Sequence, residues 1–281
     1  MYRLTNYVFG FVIVYLFILE AKMSDHSLIL IALALSSIVA FIAFLWKWIT
    51  LDAIKSVIIL GTIVLGFSGW YPAFALIFFF VTGSLFARRN ILFRESNSLN
   101  FVPVFRNYGR RDGYQVWANG FWLALFCLGW FLTGSNGFFI AAFTAIAAAT
   151  ADTWATEVGT YRPGKTVNIL TFRPAEPGED GGISLKGSVA AVSGAALISL
   201  FLLMSDTVLP EYAAIIVLIF GLAGCFIDSY LGAVYRANST SFKIPKDFSD
   251  GGESGFANSV INWLSTGISG ILAIIITYVF Y

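Results

Sequence analysis

The stretch FFIAAFTAIAAATADTWATEVGT, Phe138–Thr160, decides how the rest of the chain is read. At 1.5 Å per residue it is long enough to cross a hydrocarbon layer of ~30 Å, and its first 14 residues hold no charge. Its last nine hold two carboxylates, Asp152 and Glu157. An acid at membrane depth costs at least ~2.5 kcal/mol on insertion scales, so such residues normally face a partner or a water-filled cavity.

The surrounding sequence repeats the apolar pattern. Of the 281 residues, 58% are hydrophobic and 12% charged, about half the ~25% charged fraction of soluble domains. Apolar runs fall at about 6–21, 27–47, 52–68, 71–87, 115–133, 137–158, 187–205, 212–235 and 259–280. They predict an all-α, polytopic integral membrane bundle of about nine transmembrane helices. The first run follows Arg3 but ends in ILEAKMSD, without a small-x-small cleavage site, and reads as an anchor. The whole chain, 1–281, reads as a single membrane domain, with 1–87 as scaffold helices and 88–281 as the helices and loops that carry a site.

A net charge of +1 implies no attraction to nucleic acid. The placement of charge is more informative. Thirteen of the 17 Lys and Arg fall in three loops: Arg88, Arg89, Arg94, Arg106, Arg110 and Arg111; Arg162, Lys165, Arg173 and Lys186; and Arg236, Lys243 and Lys246. The turns GFSGWY, TGSNG and SDTVLPEY hold none. The positive-inside rule then predicts a cytoplasmic N-terminus and three cytoplasmic loops, in the cytoplasmic (plasma) membrane. Cys127 and Cys225 stand alone in apolar runs and read as packing residues; His26, the one histidine, reads as an interfacial polar residue.

Five polar clusters stand out. On a helix, Asp152, Thr156 and Gly159 share one face and Thr153, Glu157 and Thr160 the next, which sets the two carboxylates about 140° apart. Both therefore bind one ion directly only if the helix opens near Gly159; an ion pair with a loop arginine is the structural alternative. In GLAGCFIDSYLGAVYR, Gly221, Gly224, Asp228 and Gly232 form a small-residue ridge that turns Asp228 toward a neighbouring helix. In RNYGRRDGYQVWANG, Gln115 and Asn119 are one turn apart, just inside Arg110 and Arg111; the amides suit a headgroup or base and the guanidinium pair suits phosphate, while an arginine pair at a membrane edge also sets topology.

The glycine-bearing loops PGEDGGISLKGS and SDGGESGFANSVINWLST complete the set. In the first, Gly181, Gly182 and Ser184 precede a helix start, where backbone N–H groups can converge on phosphate beside Lys186. In the second, Asn258, Asn262 and Ser265 share a face and suit either substrate or interhelical hydrogen bonds. The predicted topology places all five clusters at the cytosolic face, where a magnesium-phosphate site is the chemistry they fit: Mg²⁺ is held by one or two carboxylates plus substrate phosphates.

The blocks QVWANG, ADTWATEVG, GGISLKGS, IDSYLGA and NSVINWLS, in this order, resemble the polytopic membrane family that includes the plant phytyl-phosphate kinase of the vitamin E pathway, distantly similar to dolichol and phytol kinases and to CDP-lipid synthases. The resemblance implies transfer of a phosphoryl group from CTP or another nucleoside triphosphate to an isoprenoid monophosphate, such as phytyl or geranylgeranyl phosphate, giving the diphosphate. With the residue reading, it implies Asp152, Asp228 and Glu157 as metal ligands for Mg²⁺, and Lys186, Arg110 and Arg111 as neutralising cations. It further implies Gln115, Asn119, Gly181, Gly182, Ser184, Asn258 and Asn262 as substrate-binding residues. The chain departs from the family pattern in two places: Gly178-Glu179-Asp180-Gly181-Gly182 replaces an expected Gly-Thr-Asn-Gly-Gly, and Ser259 stands where an acid is expected. A prenyl-alcohol kinase or a lipid cytidylyltransferase would use the same parts. A transporter of an anionic metabolite is the alternative from another class.

Overall fold

A computed structural model describes residues 2–97, 109–161, 164–238 and 252–280, with the side chains of 94–97 and 252–254 outside that description. Arg106, Arg162, Lys243, Lys246 and the stretch 249–251 lie outside the described residues. Among those described, the chain forms helices α1 (Tyr2–Leu19), α2 (Met23–Leu45), α3 (Ala53–Ser68), α4 (Trp70–Asn97), α5 (Gly113–Thr133), α6 (Asn136–Thr160), α7 (Leu185–Leu203), α8 (Ala213–Asn238) and α9 (Gly252–Phe280). A short antiparallel pair, β1 (Thr166–Asn168) and β2 (Gly182–Ser184), sits between α6 and α7. The protein is an all-α polytopic membrane bundle, and each apolar run of the sequence corresponds to one helix.

Among the described residues, eight helices are long and apolar enough to cross a membrane. The exception is α3, with 16 residues, or about 24 Å. It does not depend on lipid contact for its place, because it packs against α2 and α5 and buries Leu60, Ile63, Val64, Leu65 and Phe67. By contrast α1 and α2 expose Leu4, Phe11, Ile18, Leu30, Phe41 and other large apolar side chains, as a lipid-facing wall does.

The bundle is organised around α6, which packs against α4, α5, α7, α8 and α9. Its composition explains this position. Seven alanines between Ala141 and Ala151 are buried, and small side chains let neighbouring backbones approach closely. A Cβ at Gly187 of α7 would lie 3.0 Å from the Ala155 carbonyl oxygen, and one at Gly194 would lie 3.2 Å from Thr150 Cγ2. On the opposite flank, Gly221 and Gly224 of α8 fit against Ala147 and Ala148. Ile140, Phe143 and Ile146 supply the volume the alanines leave out. The small-residue ridge read from α8 is thus a helix-packing seam, with Asp228 one turn beyond it.

Helix ends are fixed by local chemistry. Asp112 caps α5 by accepting from the Gln115 N–H at 2.9 Å, and Gln115 Oε1 accepts in return from the Asp112 N–H at 3.2 Å; such a box contributes ~1 kcal/mol. Gly134, with φ 64°, ends the helix in the left-handed conformation. Ser184 caps α7 by accepting from the Gly187 N–H at 3.2 Å.

Candidate functional site

The polar end of α6 opens into a cavity of about 220 Å³ that also reaches α7, α8, α9 and the α6–α7 connection. Asp152 projects into it from α6 and Asp228 from α8, and the two carboxyl groups face each other within hydrogen-bonding reach. From α9, Ser265 donates its hydroxyl to Asp228 Oδ2 at 3.1 Å. Asp152 lies eight residues before the end of α6 and Asp228 ten before the end of α8, so the pair is recessed by about 12–15 Å along the helices.

The wall over this pair is the loop that ends at β2. Gly181 has φ +78°, and a Cβ there would collide with Ala233 and approach Ser229 O to 3.1 Å; a residue without a side chain lets the loop lie directly on α8. The Ile169 N–H donates to Gly181 O at 2.9 Å and the Gly182 N–H to Glu179 O at 2.8 Å. The Gly182 N–H is therefore engaged within the loop itself. The loop carries Glu179 and Asp180 to the cavity rim, where Glu179 pairs with Arg236 at 3.4 Å and Asp180 acts electrostatically on Asp228.

The lining is acidic. Asp152, Glu179, Asp180 and Asp228 line the cavity with the hydroxyl residues Thr156, Thr160, Thr166, Ser184, Ser188 and Ser229, and with Asn258; no Lys or Arg is among the described lining residues. Facing carboxylates without a basic neighbour repel one another in a weakly polar medium, and a cation relieves that repulsion. Among the described residues no three His, Cys, Asp or Glu side chains group closely enough to hold a metal by themselves. A carboxylate pair with hydroxyl groups is an all-oxygen donor set, the kind Mg²⁺ takes when substrate phosphates and waters complete its shell. The residues present fit that ion.

The structure brings together Asp152, Asp228, Gly181, Gly182, Ser184 and Asn258. It does not place Glu157 with them. α6 stays helical to Thr160, so the ~140° between the acids is kept, and Glu157 turns to α4. There Asn90 Nδ2 donates to Glu157 Oε2 at 2.6 Å and to its carbonyl oxygen at 2.7 Å. Lys186 is exposed and Arg110 half-buried, and neither lines the cavity. Asn262 also lies off the lining, with its buried side-chain oxygen without a hydrogen-bond partner. Ser259 is buried and donates to Gly255 O at 3.0 Å, so the position where an acid is expected is turned away from the lining.

Arg111, Gln115 and Asn119 belong to a second cavity, between α2, α3, α4, α5 and α6. The Arg111 backbone is fixed by Thr50 N–H donating to its carbonyl at 3.0 Å and by its own N–H donating to Trp48 O at 2.9 Å. Its guanidinium lies over the rings of Phe79 and Phe80, 4.9 and 5.3 Å from their centroids. Burial pulls the guanidinium down to about 10, partly opposed by the charge of Glu157.

Sequence reasoning missed Glu179 and Asp180 as cavity residues. The departure from Gly-Thr-Asn-Gly-Gly at 178–182 was the available signal, since it places two acids in a loop that precedes a helix start.

Fold and site define a multi-pass integral membrane protein with an acid-lined recess at one end of its bundle. The chain belongs to the family described as "Integral membrane protein DUF92", whose profile matches residues 34–270. It is similar to a membrane protein of Methanocaldococcus jannaschii described as uncharacterized, 31% identical over 222 residues that cover 78% of this chain and 81% of the relative. It is also similar to Protein PGR of Arabidopsis thaliana, 26% identical over 236 residues, 74% of this chain and 79% of that protein. No solved structure matches the chain.

Proposed function

We propose that this protein is a Mg²⁺-dependent phosphotransferase that moves the terminal phosphoryl group of CTP or another nucleoside triphosphate to an isoprenoid monophosphate, giving the diphosphate. The observation that carries the reading is the facing pair Asp152 and Asp228, recessed among oxygen donors with no basic side chain on the described lining. A triphosphate enters such a cavity only with its charge neutralised. Bound Mg²⁺ would supply that neutralisation and polarise the transferred group.

Asp152 and Asp228 would hold the ion, with Asp180 at the rim as a further carboxylate and Ser265 orienting Asp228. The start of α7, where Ser184, Gly187 and Ser188 line the cavity, directs the positive end of its helix dipole at the phosphates. An oxygen of the lipid monophosphate forms the new bond to phosphorus as the bond to the nucleoside diphosphate breaks. That oxygen is already ionised at neutral pH, so no side chain has to act as base. The positive-inside rule supports a cytosolic position for this end of the bundle, where nucleotides are, and for the N-terminus, because the loops there carry most of the basic residues.

Transport of an anionic metabolite fits less well, because the described lining of the recess is acidic and repels an anion that brings no metal ion. The purified protein in nanodiscs, given CTP or ATP labelled in the γ-phosphate and a panel of prenyl monophosphates and prenyl alcohols, should label a monophosphate in a reaction that EDTA stops. Label on an alcohol would make it a lipid kinase. Incorporation of cytidine would make it a cytidylyltransferase, and no transfer to any acceptor would refute the reading.

A further inference from the structure

The second cavity has the shape of a site for an apolar chain, with one cationic residue, Arg111, among those that line it. It holds about 130 Å³ and follows α4 from Phe80 to Trp70, a length of about 15 Å at 1.5 Å per residue. Leu60, Val64, Leu123 and Phe79 make its walls, and its polar lining residues are Ser36 of α2 and Arg111, Gln115 and Asn119 at and just before the first turns of α5. Leu35, Trp70, Phe74 and Ile77 line it and are also exposed on the outside of the bundle, so the cavity opens sideways between α2 and α4 toward the bilayer.

Arg111 is the anomaly at its closed end. Among the described residues its guanidinium makes no salt bridge or hydrogen bond; it has ring faces and, more distantly, the charge of Glu157. A pKa of about 10 leaves it cationic at neutral pH. Room is kept for it: a Cβ at Gly83 would collide with Nη2 and would lie 3.0 Å from Thr153 Cγ2. Thr153 follows Asp152 directly, so the cationic end of this cavity and the carboxylate recess are on adjacent positions of α6. A half-buried cation beside an apolar channel is stabilised when an anion caps the channel's contents.

We infer that this cavity binds a single-chain amphiphile with an anionic phosphate head, the chain lying between α3, α4 and α5 and the head on Arg111 with Asn119 beside it. The placement deepens the phosphotransfer reading by locating the acceptor, but binding does not require turnover. A lipid entering between α2 and α4 would bring its head to α6 from the side opposite the nucleotide recess.

The test uses the full-length protein in nanodiscs with a single-chain alkyl phosphate that carries a diazirine near the end of its chain, and peptide mass spectrometry of the crosslinks without nucleotide. Adducts should fall on α3, α4 and α5. Unlabelled alkyl phosphate should suppress them at a concentration at least about tenfold below that needed of the matching alcohol. Arg111→Met should weaken labelling at least about tenfold and Arg111→Lys less. Adducts confined to α1, α7, α8 or α9, or equal competition by the alcohol in the wild-type protein, would overturn the assignment without reference to any variant. If labelling follows the expected pattern while no phosphoryl transfer is found with any acceptor, the site stands and the kinase reading fails.

Discussion

The Ser265 hydroxyl on α9 donates to Asp228 Oδ2 on α8 at 3.1 Å, while the Ser265 carbonyl accepts from Ser269 one turn on. Ser265 of α9 thereby orients one carboxylate of the recess on the preceding helix, α8. A hydrogen bond to an ionised acceptor contributes ~1.5–3 kcal/mol. Ser265→Ala should raise the Mg²⁺ concentration for half-maximal activity by roughly tenfold and leave the fold intact, as read from a metal titration beside a circular dichroism spectrum.

Asp152→Asn keeps the shape of the side chain and removes one of two facing charges. Turnover should fall by about 10²–10³ or more, the scale of losing one group that stabilises developing charge. Metal-free protein should unfold at the same or a higher temperature, because the repulsion with Asp228 is gone. Activity near wild type would remove Asp152 from the mechanism.

Asn90 and Glu157 join α4 to α6 through two hydrogen bonds. Asn90→Ala should lower stability by ~1.5–3 kcal/mol, the worth of bonds to a charged group, in a denaturant titration. The Mg²⁺ dependence should not move by more than about twofold. A large shift in metal dependence would return Glu157 to the metal site.

The positive φ of Gly181 and its contact with Ala233 predict that Gly181→Ala lifts the loop from α8. A strained left-handed residue costs ~1–3 kcal/mol. Limited proteolysis between β1 and α7 should accelerate by about tenfold or more, with nucleotide affinity falling alongside.

Arg111 gives a pH dependence with a defined sign. Its guanidinium sits at about 10 in the folded protein, well below its ordinary value when exposed. Between those values the unfolded chain binds the additional proton, so this group's contribution to stability rises with pH and the burden of the half-buried cation is felt in full below about 10. An alkyl phosphate should therefore raise the melting temperature at pH 7–8, and the gain should shrink above about pH 10. A pH-independent gain would assign the stabilisation to the chain alone.

Much of this was legible in the residues. Apolar run length located each helix, and the alanines of α6 and glycines of α8 marked the tight seams. The cost of an acid inside a membrane singles out Asp152 and Asp228 in the sequence, and the structure sets both in one recess. Lys186 is expected beside the same recess, but residues of a first turn fan out by about 100° each: Gly187, Ser188 and Ala191 line the cavity and Lys186 does not. Arg111 reads with Arg110 as a phosphate-suited pair, and its separate place beside the second cavity is not legible because it depends on the α2–α3 connection bonding to its backbone, a contact between distant segments. Glu179 and Asp180 reach the rim only through the β1–β2 pairing, which three-residue strands do not announce.

If Asp152 and Asp228 hold one divalent ion between them, Mn²⁺ can report it by electron paramagnetic resonance on the purified protein with a non-hydrolysable nucleotide. Wild type should bind Mn²⁺, and Asp152→Asn and Asp228→Asn should each weaken that binding by at least about tenfold, with the double variant little worse than either alone. Unchanged Mn²⁺ binding in both single variants would contradict the shared site.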